Sequence, residues 1–206
     1  TLGQFFDFVP VCPESECGLG IPREAMRLVG DLGSPRLMTN KSHIDHTERM
    51  LSWSNKRLNT LQKEDLCGFI FKKDSPSSGL HRVKVYNDKG HPVKKGRGLF
   101  AAAFTERFPR IPVEEEGRLN DAVLRENFIE RVFAMKRWRE ALQRRRTVGN
   151  LVEFHTREKL FIMAHSQKHY REMGRLVAAG KDFQTADLYT RYETLFFKAL
   201  GLKGTI

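Results

Sequence analysis

Cys12-Pro13-Glu14 sets a thiol two residues from a carboxyl, at the end of an apolar run made by Phe5, Phe6, Phe8, Val9 and Val11. A thiolate is a nucleophile and a metal ligand, and a carboxylate moves protons, so the pair suits covalent, metal or acid–base chemistry. The competing reading is structural, because cysteine is among the most buried residue types. A second stretch, Lys72-Lys73-Asp74-Ser75-Pro76-Ser77-Ser78-Gly79, repeats the arrangement with hydroxyls after the apolar run Leu66 to Phe71. Further along, Arg137, Arg139, Arg144, Arg145 and Arg146 surround Trp138. Cations around an aromatic can bind single-stranded RNA or DNA through phosphates and base stacking, or can be the solvated face of a helix whose Trp packs inward. His165 and His169, four residues apart, can share a metal on one helical face, or can be satisfied core histidines. His155 lies ten residues before His165, ~15 Å away along a straight helix, and cannot join them there.

The run ending at Val11 predicts a short buried strand, and Pro22 to Val29 a helix begun by proline. A turn over Gly30 to Pro35 and a brief strand at Arg36-Leu37-Met38 follow. Thr47 to Leu61 spaces Met50, Leu51, Leu58 and Leu61 for one buried helical face. Leu66 to Phe71 has the length and continuity of a central strand, with Cys67 in the core, and Val83 to Tyr86 reads as an edge strand. Lys94-Lys95-Gly96-Arg97-Gly98 reads as a basic turn, able to cradle phosphate or simply solvated, before a helix over Leu99 to Phe108. Pro109 to Gly117 is the connector. In an open α/β sheet ligands sit beyond the carboxyl ends of strands, so the Cys12 and Ser75 loops are expected side by side in a mostly parallel, Rossmann-like sheet.

From Asn120 onward the period becomes helical. Leu124, Phe128, Val132, Met135 and Leu142 stripe residues 121 to 143, Leu151 to about Ala179 reads as one helix, and Thr185 to Leu200 as the last, before frayed final residues. The expected architecture is an α/β domain over residues 1–117, incomplete at its N-terminus, followed by an all-α bundle of three or four helices over 118–206.

The formal net charge is +11 in 206 residues, and it is uneven: residues 1–117 hold 18 Lys+Arg against 15 Asp+Glu, whereas 118–206 hold 18 against 10. The basic half attracts polyanions and makes any such binding salt-dependent. Three cysteines are too few and too irregular for a secreted disulfide framework, and no apolar run nears the ~20 residues of a membrane helix. A cytoplasmic, non-membrane protein is expected, with room for an oligomer.

Cys12-Pro13-Glu14, Gly18-Leu19-Gly20-Ile21-Pro22-Arg23-Glu24 and the Lys72 to Gly79 run resemble the YbgA-like two-domain family, whose N-terminal domain is similar to bacterial thiouracil desulfurases. The resemblance continues through Val83 to Tyr86, Gly98 to Ala101 and Pro112 to Leu119, then through Phe154-His155, Lys159 and Met163 to Ser166. It implies an enzyme that removes sulfur from small thiolated bases or nucleosides with a [4Fe-4S] cluster. Three cysteines hold such a cluster in the family, so one iron stays open to take the sulfur. By resemblance Glu14 handles the proton, Ser75 positions substrate or water, and Cys12 is a cluster ligand. Ser78 stands where the family has a cysteine, and the third cysteine belongs to a segment upstream of Thr1. An alcohol stays protonated at neutral pH and is a harder ligand than a thiolate. This chain is therefore expected to bind no stable cluster and to be inactive as it stands. The other readings are a nucleic-acid-binding module centred on the basic helical half, and a non-catalytic interaction protein.

Overall fold

A computed structural model describes residues 2–202. The expected fraying falls largely on 203–206, outside the described residues. The chain divides into two compact units, one of Thr1–Leu66, Ile70–Pro109 and Glu114–Gly117, the other of Cys67–Phe69, Arg110–Val113 and Arg118–Ile206.

The first unit is an α/β fold built on a four-stranded sheet. Its strands are β1 (Met26–Val29), β2 (Arg36–Thr39), β4 (Val83–Tyr86) and β5 (Pro92–Gly96), in the order β2-β1-β4-β5. β1 pairs in parallel with β4 but antiparallel with β2, and β4 pairs antiparallel with β5. The sheet is mixed, and the expectation of mostly parallel strands is corrected. Alternation explains β1: Met26 and Leu28 face inward while Arg27 and Val29 face the other side, a period of two that overrides the helix-start signal of Pro22. The helix expected over Pro22 to Val29 is thus replaced by an extended approach and a strand. β4 lies between β1 and β5, not at the edge, because the basic run expected to be a turn is itself the edge strand β5.

Helix α1 (Thr47–Leu61) has the bounds its periodicity predicts and buries Met50, Leu58 and Leu61, whereas Leu51 is exposed. With α2 (Leu99–Arg107) it encloses one core of Leu28, Leu37, Met50, Val83, Val85 and Leu99. Beside it the rings of Trp53, Phe71, Phe100 and Phe104 meet at centroid distances of 5.3–6.4 Å. The run at Leu66 to Phe71 yields only the short β3 (Phe69–Phe71), paired with β6 (Val113–Glu115) in a separate two-stranded sheet, and Cys67 is half-buried.

No strand forms from Phe5 to Val11. Phe5, Phe8 and Val9 are exposed, and Pro10 removes an N–H donor that a ladder would need. The chain instead runs into a single wide helical turn, Ser15–Leu19, closed where Gly18 takes a φ of 87°.

The second unit is helical, with α3 (Ala122–Gln143), α4 (Val148–His165), α5 (Gln167–Ala178) and α6 (Thr185–Leu200). Asp121, Thr147 and Ser166 each accept a backbone N–H in the first turn of the helix that follows. The single helix expected from Leu151 to Ala179 is broken at Ser166, whose extended backbone starts α5. Trp138, Phe154, Tyr192 and Phe196 centre the core, with Leu151, Ile162 and Leu188 around them.

Candidate functional site

The Cys12 and Ser75 loops meet through Glu14. Its Oε1 accepts the Ser77 hydroxyl at 2.6 Å and the Ser75 hydroxyl at 3.2 Å, and its Oε2 is ion-paired with Arg23. Glu14 is 61 residues from Ser75 and 63 from Ser77, so this contact is tertiary. Its side chain is only 17% exposed. Two hydroxyls and a guanidinium fix the carboxylate in position.

Each partner of Glu14 is itself held. Ser75 Oγ accepts the backbone N–H groups of Ser77 and Ser78 at 3.3 and 3.0 Å, and lies 3.0 Å from Ser77 Oγ. The Ser77 carbonyl accepts N–H bonds from Phe100 and Ala101, joining the loop to the start of α2. Gly98 makes that approach feasible, since a Cβ there would lie 2.5 Å from the Ser77 carbonyl carbon. After Gly79, the buried carboxylate of Glu115 accepts the N–H groups of Leu80 and His81 at 2.9 and 3.0 Å. Before Ser75, Glu116 accepts the Lys73 N–H and pairs with Lys72, both at 2.7 Å; partial burial pushes its carboxyl up, but the Lys72 ammonium and backbone N–H groups together outweigh this and hold it below the usual carboxylate value.

Cys12 is exposed, and its N–H donates to Glu16 Oε1 at 2.9 Å. Glu16 is paired with Arg57 of α1 at 3.2 Å, which seats the Cys12 turn on that helix. Cys17 donates its thiol to the Glu14 carbonyl at 3.3 Å, and burial pushes that thiol up despite an opposing backbone hydrogen bond at Leu19. Ser78 is buried next to Ser77. Among the described residues no group of three or more His, Cys, Asp or Glu is placed to hold a metal ion. One exposed thiol at Cys12 and one buried alcohol at Ser78 do not fit the thiolate set that an iron–sulfur cluster needs.

In the helical unit the candidate contacts to nucleic acid separate. Arg137 is committed to the buried Glu158 by two hydrogen bonds of 2.8 Å, and its guanidinium lies over Phe161. Trp138 is 1% exposed and donates its indole N–H to Glu193, so it is core and not a stacking platform. Arg144 is paired with Glu153 at 3.0 and 3.1 Å, Arg139 is half-buried, and Arg145 and Arg146 are exposed. His165 and His169 fall on different helices. His165 Nδ1 bonds the Leu202 carbonyl at 2.9 Å and His169 Nδ1 bonds Ser166 Oγ at 2.8 Å, so both are satisfied core histidines.

Glu14, Ser75, Cys12 and Ser78 are legible from the sequence as candidates, whereas Arg23 and Ser77 are not. The signal for Ser77 is its spacing: a hydroxyl two residues after Ser75 in a Pro-containing turn can reach the same acceptor.

The family model described as 2-thiouracil desulfurase matches residues 1–116, and one described as a protein of unknown function (DUF1722) matches residues 159–206. None of the curated proteins matches the chain. Among solved structures the chain is similar to a [4Fe-4S]-dependent thiouracil desulfidase, TudS, at 24% identity over 58% of this chain and 74% of that one, with a TM-score of 0.46.

Proposed function

This chain belongs to the 2-thiouracil desulfurase family, and from that premise we propose that its α/β unit is a desulfurase-type site for small thiolated pyrimidine-like compounds. In this reading residues 1–117 form the desulfurase-type domain and 118–206 a helical domain. Glu14 handles the proton that accompanies loss of sulfur from a thiocarbonyl carbon, and Ser75 positions the substrate or the attacking water. The observation that carries this is the clamp on Glu14: Arg23 on one oxygen and two hydroxyls on the other, drawn from a loop more than 60 residues away. A carboxylate used only as surface charge needs no such array.

A [4Fe-4S] cluster supplies sulfur-seeking iron where a protein of this family binds one. Ser78 offers an alcohol where such a cluster takes a thiolate, so in this reading the two loops are a substrate and proton-handling site with an incomplete ligand set. The test is iron and acid-labile sulfide per chain after anaerobic reconstitution, followed by sulfide release from 2-thiouracil. It compares the chain with a version carrying Ser78→Cys and an added upstream loop bearing the family's further cysteine. The expected result is no stable iron in the first and about four irons and four sulfides in the second. In that second version Glu14→Gln lowers sulfide release by about 10²–10⁴-fold. Iron uptake by neither version, or full activity without the Glu14 carboxylate, overturns the reading.

A further inference from the structure

The four-stranded sheet turns Leu28, Leu37, Val83 and Val85 toward the helices, and the same alternation turns Arg27, Lys84 and Lys94 to its other side. Leu28 stands beside Val85, which puts Arg27 level with Lys84, and Lys84 is paired directly with Lys94. Three cations thus stand in one row across β1, β4 and β5. With strands ~4.8 Å apart the row spans about 10 Å. Arg36 adds a fourth charge on the same side of β2, and its partner Asp45 is 4.0 Å away. Every charged side chain that these strands turn to this side is basic.

Like charges placed directly opposite each other on neighbouring strands are destabilising. Among the described residues neither Lys84 nor Lys94 forms an ion pair, and both are exposed. Arg27 lies with its guanidinium 5.2 Å from the Tyr86 ring centroid, and its buried Nε has no hydrogen-bond partner. Stacking has therefore already oriented this guanidinium while leaving a donor unused. Arg27 covers one face of the Tyr86 ring, so that face is closed to a stacking base.

We propose that this face of the sheet is an oligophosphate-binding site, in which Arg27, Lys84 and Lys94 meet successive phosphate groups of one compact anion. The shared chemistry is a short chain of linked phosphates, whether free inorganic polyphosphate or the tail of a nucleoside triphosphate. Anion binding relieves the repulsion along the row, with the guanidinium charge of Arg27 held beside it by the Tyr86 ring.

The test is calorimetric titration of the full chain at low salt with inorganic tripolyphosphate, a nucleoside triphosphate and a single-stranded oligonucleotide. Tripolyphosphate is expected to bind, and Lys84→Gln with Lys94→Gln to weaken it at least tenfold. The charge-matched control Lys56→Gln with Lys63→Gln, on and just beyond α1, is expected to change it less than twofold. Binding of the triphosphate as tight as tripolyphosphate assigns the site to nucleotide tails, and much weaker binding assigns it to free polyphosphate. The Lys84 and Lys94 double variant should also melt no lower than the parent, since it loses a repulsion. Equal loss in the control, binding of the oligonucleotide alone, or a lower melting temperature of the double variant overturns the proposal.

Discussion

The Glu14–Ser77 hydrogen bond is the contact on which the site depends, and a double-mutant cycle measures it. At 2.6 Å it lies in the range of O–H···O⁻ bonds to an ionised acceptor. Ser77 is fully buried and the Glu14 side chain only 17% exposed, so water replaces little of what is lost. Bonds to charged groups contribute about 1.5–3 kcal/mol and neutral ones about 1 kcal/mol. Ser77→Ala removes the donor at a cost of about 2 kcal/mol. Glu14→Gln keeps an acceptor but removes its charge, and it also ends the ion pair with Arg23. If the two side chains act through each other, the double variant is less destabilised than the sum of the singles, by about 1–2 kcal/mol. Urea denaturation at pH 7, with the slope checked for constancy, supplies the four stabilities. Additivity within about 0.5 kcal/mol would refute the geometry that joins the two loops.

Gly98→Ala drives a Cβ to 2.5 Å from the Ser77 carbonyl carbon and 2.7 Å from the Ser78 nitrogen, both backbone atoms. It should cost about 1–3 kcal/mol or more in thermal or chemical denaturation and move the amide resonances of residues 75–79; an unchanged melting temperature would contradict the close approach. Burial holds the His155 imidazole below its ordinary 6.5, with Lys159 adding to the effect. The unfolded chain therefore takes up that proton first, so the contribution is present above about pH 6.5 and is lost as pH falls through the lowered folded value. Denaturation between pH 8 and 4.5 should show His155→Asn losing less relative to the parent as the solution becomes more acidic; a widening gap would reverse the sign.

Helices carried their own punctuation. Thr47–Leu61 and Thr185–Leu200 have the same bounds in sequence and structure because apolar spacing and end residues agree. The break at Ser166 is hidden in the sequence because an apolar stripe passes through it, although serine is a strong helix-capping residue. Strands were less legible. Four residues at Met26–Val29 are too few to declare a period, and the lysines of β5 belong to an exposed edge where charge protects against association. Hydrophobicity alone makes Phe5 to Val11 a strand, but Pro10 within it lacks the N–H a ladder needs, and Phe5, Phe8 and Val9 are exposed. Glu14 and Ser75 were legible through family likeness. Ser77 is not, since what makes it part of the site is a meeting of segments 63 residues apart, and Arg23 is not, since the turn at Ser15–Leu19 that brings it back to Glu14 follows no periodic pattern.

The serine loop is moored from both directions in sequence, by Glu14 before it and by Glu115 and Glu116 after it. During synthesis Ser75, Ser77 and Ser78 leave the ribosome well before the two glutamates that hold the loop's flanks. A nascent chain stalled at residue 100 contains each proposed site residue of the α/β unit but lacks the carboxylates that seat Leu80, His81 and Lys73. Full seating of the loop's flanks therefore waits for residue 116 to emerge, in keeping with domains that fold as units and not residue by residue.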